Sequence, residues 1–225
     1  MNIIPATLLA ALLLSAVSAQ AGVVVGGTRL IYDGNKKESS LSVSNPDTQP
    51  YLVQSWTETV SGGAEKAPFV ITPPLFRLGN GQTNVLRVVR AGGNLPADKE
   101  SLFWLNIKAI PSAEKDHSQN TLQIAVKTRI KLIYRPQGLN GVPEDLTDQL
   151  RWQRSGNLLQ VSNPTPFYMN FMEIRLGGQA LKEVTYVAPG TTASFALLAG
   201  AGGNTVSWKI ISDYGAIGVA HSKAL

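Results

Sequence analysis

The segment from Leu122 to Arg135 constrains this chain more than any other. Its even positions read Leu122, Ile124, Val126, Thr128, Ile130, Leu132 and Tyr134; its odd positions read Gln123, Ala125, Lys127, Arg129, Lys131, Ile133 and Arg135. One apolar face and one largely charged face at period two describe a β-strand, because successive side chains leave a strand on opposite sides. The fourteen residues are more than twice the usual strand, and at 3.3 Å each they reach ~46 Å. One small sandwich does not need that length, so part of the strand is expected to project or to pair elsewhere.

Period two recurs along most of the chain. Strands are expected at Val23–Tyr32, Glu38–Ser44, Tyr51–Thr57, Phe69–Thr72, Leu75–Leu78, Thr83–Arg90 and Ser101–Ala109. Asn45-Pro46-Asp47, Ser61-Gly62-Gly63 and Leu78-Gly79-Asn80-Gly81 supply turns between them. Pro73-Pro74 breaks the run, with one peptide bond there a candidate for cis. Pro136 to Pro143 admits neither helix nor central strand, and Glu144 to Leu150 fits one short helical turn. A second β series follows at Leu150–Arg154, Leu158–Ser162, Tyr168–Leu176, Gln179–Val187, Thr191–Leu197 and Thr205–Ser212. Regular short strands of this kind predict an all-β protein of two sandwich domains, 22–140 and 141–225. No tandem sequence repeat stands out between them.

Residues Ile3 to Val17 are nearly all apolar and end in Ser18-Ala19-Gln20-Ala21. That run is short for a bilayer span and is followed by an A-x-A site, the pattern of a cleavable signal peptide over 1–21. Its n-region lacks Lys and Arg. Export and no stable membrane insertion are the expectations. The chain has no cysteine, so disulfides, thiolate metal sites and cysteine nucleophiles are excluded, and the fold rests on burial and backbone pairing. The net charge is +5, but the Lys and Arg are scattered, with no basic block or aromatic platform for nucleic acid.

Catalytic chemistry has little to work with. Asp116-His117-Ser118 holds three triad residue types, but triads assemble in space rather than from loop neighbours. His117 and His221 are the two histidines, and they carry no metal-ligand spacing; both read as solvated. Gly200-Ala201-Gly202-Gly203 has no helix after it and reads as a loop. No catalytic residue, metal or cofactor is expected. Arg29, inside an apolar strand, and Lys131, at the middle of the long one, are harder to dismiss. They fit either solvated charge on outer faces or a cationic pair in a cleft that captures a carboxylate.

The strings Thr28-Arg29-Leu30-Ile31-Tyr32, Ile71-Thr72-Pro73-Pro74-Leu75-Phe76, Leu95 to Trp104 and Arg129 to Pro136 stand in this order. Val161-Ser162-Asn163-Pro164-Thr165-Pro166-Phe167-Tyr168 and Asp213-Tyr214-Gly215 follow in the second half. Together they resemble the periplasmic pilus (fimbrial) chaperones over essentially the whole chain after residue 21. The resemblance implies two immunoglobulin-like domains at an angle with a cleft between them. It implies 1:1 binding of pilus subunits, whose incomplete sandwich takes a lent strand by donor-strand complementation, and delivery to an outer-membrane usher. Mapped onto this chain, the lent face is Leu122, Ile124 and Val126. Arg29 and Lys131 match the pair that anchors the subunit's C-terminal carboxylate, fixing register, since a one-residue slip presents the wrong face. Glu100, Arg135 and Asp213 match the family's inter-domain ionic network. The short Pro111–Thr121 loop and the missing cysteines resemble the short-loop branch. A pilus subunit, an unrelated immunoglobulin-like binding module and a hydrolase are the rival readings.

Overall fold

The computed structural model describes residues 22–62, 65–112, 122–200 and 202–225. The expected signal segment, the Asp116-His117-Ser118 triplet and most of the Pro111–Thr121 loop lie outside them. The described residues form two β-sandwiches, each around its own core.

The first sandwich holds nine strands. They are β1 (Val24–Val25), β2 (Arg29–Asp33), β3 (Glu38–Ser44), β4 (Tyr51–Thr59), β5 (Phe69–Thr72), β6 (Leu75–Leu78), β7 (Thr83–Arg90), β8 (Ser101–Pro111) and β9 (Val126–Arg135). One sheet runs β1-β3-β7-β5 and the other β2-β9-β8-β4-β6. Their inner faces supply the core: Leu41, Val43, Leu86 and Val88 from one sheet meet Val53, Leu105, Ile107 and Leu132 from the other. Alternation in β3 and β7 buries every second residue, as a sheet with one wet face requires.

The expected strand Val23–Tyr32 is two strands in two sheets. β1 pairs with β3, and β2 lies parallel to β9. The chain crosses between sheets at Gly26-Gly27, where a Cβ on Gly26 would stand 2.1 Å from the Ser42 hydroxyl. A side chain there would need the Ser42 hydroxyl to turn away and would still press on the Ser42 carbonyl at 3.2 Å. The peptide bond Thr72–Pro73 is cis.

The long strand is shorter than its alternation. β9 starts at Val126, and Leu122 to Ala125 belong to no strand. Pairing with β8 ends at Ala109–Val126, and pairing with β2 begins only at Arg29–Lys131. Residues 122–125 therefore have the sequence of a strand without a neighbour to bond to.

A short helix α1 (Pro143–Leu146) and a 3₁₀ turn (Thr147–Gln149) lead into the second sandwich. Its strands are β10 (Arg151–Ser155), β11 (Leu158–Ser162), β12 (Met169–Leu176), β13 (Gln179–Ala180), β14 (Tyr186–Val187), β15 (Thr192–Ala196), β16 (Thr205–Ile210) and β17 (His221–Ala224). One sheet runs β10-β11-β15; the other runs β13-β12-β16-β17, with β14 also on β12. Trp208, Phe167, Met169 and Ile174 fill its core. β17 was not expected. It places His221 opposite Trp208, where the ring stacks on the indole and bonds Asp148 at 2.7 Å, so this histidine is not simply solvated.

The two domains do share a short repeat. Val43-Ser44-Asn45-Pro46 and Val161-Ser162-Asn163-Pro164 occupy equivalent places at a strand end. The Asn45 amide donates to the carbonyls of Gln49, Leu78 and Gly79, and the Asn163 amide to those of Phe167, Val187 and Ala188. Each Oδ1 accepts the backbone N–H two residues on, from Asp47 and Thr165. Both asparagines are buried, so each turn is held by one side chain that gathers three backbone carbonyls.

Candidate functional site

The even face of β9 changes surroundings along its length. Ile130, Leu132 and Tyr134 are buried in the first core, and Thr128 is half-buried. Further out, Val126, Ile124 and Leu122 are 54%, 66% and 87% exposed. Three large apolar side chains in water at successive even positions continue a core face past the end of its own core. Scattered apolar residues on a surface are ordinary; a contiguous row running off the end of a strand is not.

Arg29 and Lys131 are direct neighbours in the parallel pair of β2 and β9. Both reach into the junction between the domains. Arg29 Nη1 donates to the Ile211 carbonyl at 3.2 Å, while its Nε is buried without a partner. Lys131 Nζ donates to Asn170 Oδ1 on β12 and stands 4.8 Å above the Tyr186 ring. Burial, and then the charge of Arg29, lowers the Lys131 amine to about 8. Burial also lowers Arg29, against the pull of Asp213 and Glu144. Two half-buried cations side by side, one with an unanswered donor, form a place where an anion would gain charge-assisted hydrogen bonds. Asn170, Tyr186 and Ile211 had no signal in the sequence, because their part depends on how the second domain meets the first.

Glu100, Arg135 and Asp213 lie together at the same junction. Arg135 Nε donates to Glu100 Oε1 at 2.9 Å, and both Nη atoms donate to Asp213 at 2.7 and 2.9 Å. Glu100 Oε2 accepts the Tyr168 backbone N–H at 2.7 Å, and the Glu100 backbone N–H donates to the Pro166 carbonyl. Glu100 comes from the first domain, Asp213 and Tyr168 from the second. Burial raises the Glu100 carboxyl to about 7, against the opposing pull of Arg135 and the Tyr168 amide. Burial alone would lower Arg135, but the bonds and charges of Asp213 and Glu100 raise it. The Arg135 guanidinium also lies 5.0 Å from the Phe167 ring centre. These are not independent surface ions: the side chains of Glu100 and Arg135 are 1% and 13% exposed, so removing one would strand the other.

Comparison with known proteins settles what kind of molecule has this architecture. The pili and flagellar-assembly chaperone family, PapD N-terminal domain, matches residues 22–140, and the pili assembly chaperone PapD C-terminal domain matches 145–221. The chain belongs to the pilus-assembly chaperone family. The chaperone protein LpfB of Salmonella typhimurium is 40% identical over 221 residues, covering 96% of this chain and 95% of its own. The chaperone protein FimC of Escherichia coli is 43% identical over 202 residues, 88% of this chain and 83% of its own. Among solved structures, the Salmonella enterica SafA pilin–SafB chaperone complex matches at 37% identity with a TM-score of 0.85, covering 93% of this chain and 99% of that one. The E. coli chaperone DraB matches at 39% and 0.81, covering 91% and 96%. The fold is accordingly that of these two-domain immunoglobulin-like chaperones, and the function class is fimbrial chaperone. No helix among the described residues is long and apolar enough to cross a membrane.

Proposed function

We propose that this chaperone works in the periplasm after loss of a signal peptide over residues 1–21, and that it captures pilus subunits one to one and passes them to an outer-membrane usher. Domain 22–140 does the capturing. The segment carrying Leu122, Ile124 and Val126 enters the open groove of an incomplete subunit and pairs with its edge. Each of those side chains contributes roughly 1.5–3 kcal/mol on burial. Arg29 and Lys131 hold the subunit's C-terminal carboxylate, with Lys131 exchanging its bond to Asn170 for one to the guest. The Glu100–Arg135–Asp213 cluster fixes the angle of domain 141–225 and so the shape of the cleft. The role needs no catalytic residue and no cofactor.

The observation that carries this reading is the row of exposed apolar residues Leu122, Ile124 and Val126, continuous with buried Ile130 and leading to the cation pair. Coexpression with a pilus subunit tests it. The wild-type protein should copurify with the subunit at 1:1, and Arg29→Ala should lose the complex while keeping its own Tm. Undiminished copurification with Arg29→Ala would remove the anchor from the mechanism. Failure of the wild type to hold any subunit would remove the mechanism itself.

A further inference from the structure

The outer face of β9 carries an arrangement that the anchor and the apolar row do not use. Opposite the apolar side, β4, β8 and β9 align in cross-strand rows: Glu58 with Trp104 and Lys131, then Trp56 with Asn106 and Arg129. Glu58 is the hub. Its carboxylate lies 3.8 Å from Lys127 Nζ and 3.3 Å from Arg129 Nη2, and it accepts the Trp56 indole N–H at 2.7 Å. Both cations also cover aromatic faces, Lys127 over Trp56 at 4.9 Å and Arg129 over Trp104 at 4.4 Å. The indole bond, then Lys127 and Arg129, hold the Glu58 carboxyl below its ordinary range against a burial penalty.

Beneath this layer Asn106 is wholly buried, although it sits on the outward face of its sheet. Its amide is the weakest influence on Glu58, and none of its contacts meets hydrogen-bond geometry. The layer above is thus closed enough to exclude solvent from a polar group.

The position of these contacts gives them a role. From Val126 to Ile130, β9 pairs with β8 but not with β2, which joins only at Lys131. On the even side, Val126 is exposed. The edge of this stretch away from β8 is therefore unpaired, and its even face passes from exposed Val126 through half-buried Thr128 to Ile130 in the core. What holds the outer end, before Ile130 and besides β8, are chiefly its odd side chains Lys127 and Arg129, the two that Glu58 grips.

We propose that Glu58, with the faces of Trp56 and Trp104, clamps Lys127 and Arg129 so that the start of β9 stays extended and in line for a guest, making Glu58 a positioning residue for the lent strand. This rests on the reading that the strand is lent. A strand held straight beforehand loses less freedom on pairing than a frayed one.

Amide exchange on the purified protein and capture of a urea-unfolded pilus subunit test it together. Glu58→Gln should speed exchange of the β8-bonded amides within 126–130 by about tenfold and leave the core of β4 and β7 unchanged. It should slow capture about threefold to tenfold at equal Tm, with Glu58→Asp restoring part of both. Glu58→Gln and Arg129→Gln should be non-additive in exchange, because they break one contact. Unchanged exchange in Glu58→Gln would overturn the clamp. Faster exchange with unchanged capture would overturn its positioning role. If the wild-type protein captures no subunit, the proposed function fails and the positioning role with it, while the exchange result still decides whether the clamp exists.

Discussion

Arg29 and Lys131 occupy the same level of a parallel strand pair, and each bonds a different strand end of the second domain: Arg29 the Ile211 carbonyl, Lys131 the Asn170 side chain. The two cations therefore sit at the junction of the domains rather than on the outer surface. The protonation of Lys131 bears on stability and, on the anchor reading, on binding.

With its pKa lowered to about 8, Lys131 is charged at neutral pH and neutral one unit above 8. Capture of a subunit's terminal carboxylate should weaken about tenfold between pH 7 and 9. Lys131→Arg, which keeps its charge, should flatten the profile. In stability the sign is opposite. The unfolded lysine holds its proton up to 10.5 while the folded one releases it near 8, so this group penalises the fold below 8 and the penalty fades as pH rises from 8 to 10.5. Titration of capture by fluorescence, beside urea unfolding at each pH, reads both.

Two substitutions at even positions of the same segment should behave oppositely. Ile124 is two-thirds exposed and Leu132 is fully buried. Ile124→Asp should leave stability within about 0.5 kcal/mol and remove subunit binding. Leu132→Asp should cost about 4 kcal/mol or more and unfold the first domain. Circular-dichroism melts and copurification together check the pair; a melted Ile124→Asp would mean that residue belongs to the chaperone's own core.

Glu100→Ala leaves Arg135 buried at the junction with Asp213 as its remaining partner and frees the Tyr168 amide. A loss of about 3 kcal/mol is expected. The loss should show in calorimetry as two domain transitions drawing apart, because the broken contacts join the domains rather than fill either core.

Asn45→Ala and Asn163→Ala should each cost about 2 kcal/mol, since each removes a buried side chain that donates to three backbone carbonyls. The two turns lie in separate cores, so the double variant should lose the sum in urea unfolding. A marked shortfall, with each variant shifting only its own domain's transition, would mean that the domains unfold as separate units.

The alternation of Leu122 to Tyr134 made the two faces of the long segment readable, because a strand sorts its residues by parity and nothing else is needed. The place where the strand ends was not readable. Val126 and Ile130 are chemically alike, and what separates them is the reach of β8 and β2, which no local pattern records. Gly26-Gly27 lies inside one alternating run in the sequence, and nothing local marks it as a crossing between sheets. The repeated Val-Ser-Asn-Pro stands in the letters, but four residues are too short to signal a repeat until both asparagines are seen holding equivalent turns. His221 was misread because a histidine near a chain end resembles solvated tail until β17 and Trp208 are in place. Asn170 and the Glu58 clamp depend on contacts across domains or across three strands, so their signal appears only once registers are known. Trp56, Glu58 and Trp104 on outer faces were the available hint, since large aromatics there call for a cover.

The distance along β9 from the cation pair to the exposed row has a consequence of its own. Val126, Ile124 and Leu122 lie five, seven and nine residues from Lys131, about 17, 23 and 30 Å for an extended chain. A fixed point at one end and knobs at fixed intervals make a ruler. On the anchor reading, a guest is accepted for the length between its chain end and its empty groove, whatever side chains fill that length. One device can then serve a set of differing subunits and still refuse a chain whose end has been clipped.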